Sequence, residues 1–253
     1  MFEEIKYKQN YLTTVICRVD FADQLSEKAI DKVLTVPEIT TFFSIKSKDQ
    51  IKEDSNISVV EKPGGSTEIS KSSDKFIIKT LVNSTGKNKL IISKKHLILE
   101  YNQYDSFEET KKHFSYIVNA TTSCHPEIRV GRFGLRYINV FDSDKCKINK
   151  NFFSEKIRSL VKTEDFTGMQ TSRAMGTIEC VRDNVRLLMK YGNFNRNFPG
   201  IIEKYDFVLD FDASIAGLIP LVDIYQQKLD CAHDMIQTAF EESITENLRK
   251  IMR

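Results

Sequence analysis

The chain has 253 residues, 41% of them hydrophobic, enough to bury a substantial core as one large domain or two similar halves, which excludes disorder as its overall class. Lys and Arg total 37 against 35 acids, a net charge of +2, so the overall balance does not mark a polyanion binder and electrostatic partners must be sought in local patches. Five cysteines (Cys17, Cys124, Cys146, Cys180, Cys231) form no CxxC pair, and the sequence shows neither a signal peptide nor an 18-residue apolar run, so a reducing cytoplasm is expected and a membrane is not.

In chain order, the β-branched and aromatic run 11–21 predicts a buried strand, and 26–36, with Ala29, Val33 and Val36 at helical spacing, predicts a helix. Residues 44–74 are polar, hold Pro63, Gly64 and Gly65, and read as a long surface excursion whose strands, if any, are short. Three strands follow at 75–82, 89–93 and 96–104 with hairpin-length connections. Ser106 and Glu109 then make a capping box ahead of a helix to about Thr121, striped by Phe107, Thr110, Phe114, Ile117 and Val118. The second half predicts the same order: a strand at 129–141, a helix around 149–161, strands within 171–181 and 185–191 joined by "RDN", and a strand at 206–213. A long helix from Leu221 then carries Tyr225, Leu229, Ala232, Ile236, Phe240, Ile244, Leu248 and Ile251, with a break at Ser243. The expected fold is α+β: two pseudo-repeated strand-helix-three-strand-helix halves, 1–125 and 126–253, forming one compact unit of mostly antiparallel sheet with helices packed on one face.

Within "RVGRFGLRYINVFD" (129–142), alternation places Phe133, Leu135, Tyr137 and Phe141 on the helix-covered side and Arg132, Gly134, Arg136, Ile138 and Val140 on the other. Gly134 leaves a gap between two arginines about 13 Å apart at ~3.3 Å per residue, so Arg132, Gly134, Arg136 and Asn139 are the candidate anion- or partner-binding surface. The alternative reading pairs the guanidiniums with Asp210, Asp212 or Glu100 on neighbouring strands. A second candidate is "KYGNFNRNFPG" (190–200), where Lys190, Tyr191, Phe194 and Arg196 interleave charge and rings in a Gly- and Asn-rich loop suited to stacking single-stranded bases. Residues 44–95 hold eleven lysines against six acids, whereas 221–253 hold four basic and six acidic residues.

"GRFGLRYINVFD", with "VLDFDA" and "AFEESITENLRKIM", resembles a sporadically distributed, uncharacterised bacterial protein family with a Gly-Leu-Arg-Tyr-Ile-Asn signature, here Gly134 to Asn139. The resemblance spans nearly the whole chain. It implies a shared fold and a setting near mobile or defence-related genes, and it supplies no activity from which catalytic residues could be carried over.

Enzyme motifs fail at required positions. "GGST" at 64–67, followed by Asp74, has the outline of a nucleotidyltransferase turn, but Phe76 stands where the second carboxylate belongs. "STGKN" is not a phosphate loop, because Leu81 and Asn88 replace the required Gly and Ser or Thr. Asp210 and Asp212 would need a third oxygen ligand to hold a divalent ion. Neither Cys124–His125 nor "CAHD" at 231–234 has zinc spacing, and Cys231 and His233 point about 200° apart on a helix, so they read as one core cysteine and one surface histidine. No catalytic residue, metal or cofactor is assigned. The leading expectation is a non-catalytic protein-interaction or regulatory protein, an accessory of a bacterial defence or toxin-linked system. A nucleic-acid-binding module is the second reading, and a metal-dependent phosphodiester or nucleotide enzyme the third. The terminal helix stripe is buried against its own sheet or forms a homodimer seam.

Overall fold

The computed structural model describes residues 7–61, 67–142, 150–160, 169, 172–204 and 206–253, with the side chains of 56–61, 68 and 150 excepted. Ten strands form one antiparallel sheet: β1 (Leu12–Phe21), β2 (Ile45–Lys46), β3 (Gln50–Glu61), β4 (Thr67–Val82), β5 (Asn88–Ile92), β6 (His96–Tyr101), β7 (Arg129–Phe141), β8 (Ala174–Arg182), β9 (Val185–Phe194) and β10 (Asp206–Pro220). Their order is β2-β4-β5-β6-β1-β7-β10-β9-β8, with β3 added onto β4. Residues 1–125 and 126–253 therefore meet along the β1–β7 ladder, which runs from Leu12 opposite Asn139 to Phe21 opposite Val130.

Helices α1 (Glu27–Leu34), α2 (Pro37–Phe42), α3 (Phe107–Thr122), α4 (Glu155–Arg158), α5 (Leu221–Asp223), α6 (Leu229–Ser243) and α7 (Glu246–Met252) all contribute to one core together with the inward residues of the sheet. Val15, Cys17 and Val19 of β1, Phe133, Leu135 and Phe141 of β7, and Leu209, Phe211 and Ala213 of β10 are wholly buried there. Ser26 caps α1 by accepting from the Ala29 amide, and Ser106 caps α3 by accepting from Glu109. The β8–β9 hairpin turns on Asp183 and Asn184, with φ of 50° and 64°; paired positive φ is the turn that matches strand twist, and Asp and Asn tolerate it best among non-glycine residues.

Two expectations need correction. The 44–74 excursion contains a 12-residue strand, β3, paired with the 16-residue β4 through twelve rungs from Gln50–Ile78 to Glu61–Thr67. Its described side chains at 50–55 and 69–75 are exposed or half-exposed, so neither face carries the apolar alternation that announces a strand. Asp54 and Asp74 stand directly opposite each other, a repulsive pairing, and Lys95 bridges them at 2.8 and 3.0 Å while Lys94 takes Asp74 at 2.7 Å. The predicted helix at 149–161 is a single 3₁₀ turn, Lys150–Phe152, followed by the four-residue α4; positions 149 and 161 lie outside the described residues.

The terminal stripe is interrupted as predicted near Ser243, and the interruption changes its phase. Ile244 is extended, α7 starts afresh from Thr245, and the buried residues of α7 are Leu248 and Met252, whereas Ile251 is 44% exposed. Leu248→Ala should therefore cost about 2–5 kcal/mol in urea unfolding, and Ile251→Ala about 0.5 or less. Equal losses would show that α7 does not dock in this phase.

His113 of α3 is buried, with Nδ1 3.0 Å from the Tyr101 hydroxyl and its ring 4.3 Å from Phe42. Burial pushes its pKa down to about 4, from an ordinary 6.5, and burial lowers His96 and His233 in the same direction. A histidine depressed in the fold must be held neutral, so its stabilising effect is complete above pH 6.5 and is lost as pH falls towards 4, at about 1.4 kcal/mol per unit. Between pH 7 and 4.5, His113→Leu should reduce the fall in unfolding free energy by about 2 kcal/mol. An unchanged pH dependence would remove His113 from the acid response.

Candidate functional site

The sheet face away from the helices is assembled by register. Arg132, Gly134, Arg136 and Ile138 of β7 lie opposite Asp20, Arg18, Ile16 and Thr14 of β1, and on the other side Gly134, Arg136 and Ile138 meet Ser214, Asp212 and Asp210 of β10. Beyond β1 come Ile98 and Glu100 of β6, and beyond β10 come Leu188 and Lys190 of β9. Arg136 donates two parallel bonds to Asp210, Nε to Oδ1 at 2.7 Å and NH2 to Oδ2 at 2.6 Å, the strong fork geometry of guanidinium and carboxylate. That bond to Asp210 raises the pKa of Arg136 above its ordinary value. Arg132 reaches Asp212 at 3.7 Å and Asp20 at 3.8 Å, and Arg18 holds Asp20 at 2.8 Å. Towards the two sides, Lys89 meets Glu100 at 3.3 Å and Arg186 meets Glu179 at 2.6 Å. The arginines thus take the paired alternative. The gap at Gly134 is filled by Arg132 itself: its NH1 lies 3.2 Å from where a Cβ would stand, so a side chain there would require the guanidinium to give by a few tenths of an ångström.

Asn139 does not belong to this surface. It has the parity of Tyr137 and Phe141, is buried on the helix side, and donates from Nδ2 to the Leu209 carbonyl at 3.3 Å. The second candidate cluster also divides. β9 runs through Phe194, so Lys190 and Tyr191 are consecutive strand residues on opposite faces: Lys190 is exposed opposite Asp210, and Tyr191 packs on the core with its ring over Gly176, where a Cβ would sit 2.5 Å from it. Phe194 is 42% exposed, and Arg196 is 3.5 Å from the buried carboxylate of Asp206. The four residues share no one surface. What the loop does expose is Phe198, under the Arg173 guanidinium, and Ile201.

On the helix side, between β7, the start of α3 and α6, lies a pocket of about 220 Å³ into which Tyr137 and Asn139 project, so signature residues line opposite sides of the sheet. The Tyr137 hydroxyl is 3.0 Å from that of Tyr104 and 3.1 Å from His233 Nδ1, and Phe107 stacks on the His233 ring at 3.7 Å and 3°. Burial lowers the pKa of His233 and raises that of Tyr137 well above 10, so both are neutral near pH 7. Across the pocket Glu241 accepts from Tyr7 at 2.8 Å and from Arg249 at 2.7 Å. The expected roles on α6 are reversed: His233 is largely covered and Cys231 is exposed, because 233 follows Leu229 by one helical repeat and 231 does not.

Cys17, Cys124, Cys180 and Cys231 are free thiols, Cys17 being buried and pushed up to about 12 by burial; Cys146 and the "GGS" at 64–66 lie outside the described residues. Among the described residues no three His, Cys, Asp or Glu side chains gather as a metal site requires, and no helix is long and apolar enough to cross a membrane. No family model and no curated protein matches the chain.

The Arg136–Asp210 pair is testable as a unit. Asp210 has 11% of its side chain exposed and Arg136 38%, so Arg136→Leu should cost about 2 kcal/mol, short of the ~3–5 of a fully buried pair, by stranding the carboxylate. Adding Asp210→Leu should recover most of that loss in a double-mutant cycle. Additive losses in urea unfolding would show that the two groups do not act together.

Proposed function

We propose that this is a non-catalytic interaction protein that binds a polypeptide surface through the open face of its sheet. The observation that carries this reading is the charge pairing on that face: Arg18, Arg132, Arg136, Arg186 and Lys89 each lie within ion-pair distance of a carboxylate of the same face, and Lys190 stands opposite Asp210 in register. A phosphate backbone binds by displacing counterions from free cations, and here the counter-charges are fixed carboxylates that would stay and repel it. A protein partner needs no excess charge. It needs aliphatic area among polar groups that can be re-paired, and the half-exposed Ile16, Ile91, Ile98, Ile138 and Val140 supply that area between the arginines. The division of Lys190 and Tyr191 between two faces weighs against base stacking, and the fork on Asp210 weighs against a metal at Asp210 and Asp212. The resemblance of the Gly134–Asn139 signature to the sporadically distributed bacterial family is what points this proposal towards a defence- or toxin-linked partner, and the similar strand order outward from β1 and β7 is what supports a duplicated origin.

The experiment is purification of the tagged full-length protein and of Ile98→Arg and Ile251→Arg, with native mass spectrometry of what accompanies each. A defined polypeptide, or a second copy of this chain, should be bound stoichiometrically by the parent and by Ile251→Arg and be lost at least tenfold from Ile98→Arg, about 1.4 kcal/mol of affinity. Retention by Ile98→Arg, or nuclease-sensitive material absorbing at 260 nm in place of a polypeptide, would overturn the reading.

A further inference from the structure

The sheet ends on β8, which pairs with β9 along one edge and with no described residue along the other. Its hairpin turn tells which backbone groups face outward. Arg182 and Val185 flank the two turn residues and share the bond that closes the turn, and alternation from that rung directs Arg182, Cys180, Ile178, Gly176 and Ala174 towards β9. Met175, Thr177, Glu179 and Val181 therefore hold their amides and carbonyls towards the open edge, where no described backbone group meets them. Such a row of unpaired groups is a template for another strand, and sheets usually blunt it with proline, lysine, a bulge or brevity. The other end of the strand order is blunted by brevity, β2 having two residues; β8 runs for nine, holds neither proline nor lysine, and keeps its register with β9 unbroken. Val181 on this strand is 70% exposed.

The sequence of β8 is complementary to itself. In an antiparallel pair related by a two-fold axis through the sheet, facing residues share a side of the sheet, so the axis must pass through a residue and not between two. Centred on Ile178, it sets Ile178 against its own copy, Met175 against Val181 and Thr177 against Glu179, with Arg173 facing Asp183 beyond each end. Shifted by one residue, it sets Glu179 against its own copy or against Met175, and a doubled or unmatched carboxylate disfavours both. In the centred register the outward groups of Met175, Thr177, Glu179 and Val181 meet their counterparts in about eight backbone hydrogen bonds, and Ile178 falls at a close, non-hydrogen-bonded pair. We propose that β8 is a dimerisation edge, on which a second copy of this chain docks antiparallel about Ile178. The contact is separate from the open face and smaller than a standard interface, so a Kd of about 100 µM is expected, and the dimer falls apart at the dilution at which the open-face partner is sought.

The test is sedimentation of the full-length protein from about 5 to about 500 µM, over which the mean mass should rise from one chain towards two. Val181→Glu places its carboxylate opposite Arg186 in its own sheet but against Met175 of the second copy; it should melt like the parent and dimerise at least tenfold more weakly. Ile98→Arg, on the open face, should dimerise like the parent. Ile178→Cys in a Cys180→Ser background reports the register. Two Cα atoms about 4.5 Å apart are within disulfide reach, whereas the two native Cys180 residues would stand about 13 Å apart along the strands, so mild oxidation at about 100 µM should cross-link the variant at least tenfold faster than the parent. A mass of one chain throughout, parental dimerisation by a folded Val181→Glu, its loss in Ile98→Arg, or cross-linking of Ile178→Cys no faster than the parent would overturn the assignment.

Discussion

A β-strand presents successive residues to opposite faces, and here the helices pack into a core on one side of the sheet. Everything on the other side has to be stable against water and against its own neighbours. β7 meets that demand most acutely, because it lies between β1 and β10 and its arginines have a strand on each flank. A guanidinium there has lost part of its hydration, so carboxylates arrive from both neighbours: Asp20 from β1, Asp210 and Asp212 from β10. Two arginines can sit in a core strand because the strand is core on one side only. A slip of one residue would send Arg132 and Arg136 under the helices and Phe133 and Leu135 into water, so the ion pairs specify register as much as they stabilise.

The parts of the architecture that were legible in the sequence are those where burial is one-sided. β7 keeps its predicted bounds, 129–141, because Phe133, Leu135, Tyr137 and Phe141 keep one parity that is broken by Asn139 alone, and α3 could be placed from Ser106 and its stripe. The β3–β4 ribbon could not be, since its rungs are held by backbone bonds between polar residues and no core imposes a period. The covered pocket was partly within reach: Asn139 shares the parity of Tyr137, and His233 shares the helical face of Leu229, signals present in the spacing but outweighed by the usual exposure of their residue types. Contacts between distant segments were of another kind. Nothing local joins Phe107 to His233 or Tyr7 to Glu241; the first pair brings α3 against α6, and the second brings the segment ahead of β1 against the end of α6.

The same logic explains the lysine-rich region 44–95. Its excess of positive charge looks available in the sequence, but Lys79 is held by Asp31 and Glu27 of α1, Lys94 and Lys95 by the aspartates of the ribbon, and Lys89 by Glu100. Lys95 also lies 4.8 Å over the ring of Phe76, the buried residue at the ribbon's base. Lys94 and Lys95 serve the attachment of the ribbon to the sheet. A net charge counted along the chain is therefore a poor guide to the field at the surface, where the sign depends on which carboxylates the fold brings alongside.

Arg136 and Tyr137 are neighbours in sequence with unrelated surroundings, one in a charge mosaic on the open face, the other in an uncharged hydrogen-bond chain under a helix. On the open face each arginine is already matched, so a partner of the kind proposed would gain little from bringing charge and would have to gain from covering Ile16, Ile98 and Ile138. In the pocket Glu241 is held by Tyr7 and Arg249, while burial keeps His233 and Tyr137 neutral near pH 7. A central strand with both faces spoken for has little freedom to change, which is reason enough for a run such as Gly-Leu-Arg-Tyr-Ile-Asn to stand out: the small residue makes room for Arg132, the arginine anchors the open face, and the tyrosine and asparagine furnish the covered one.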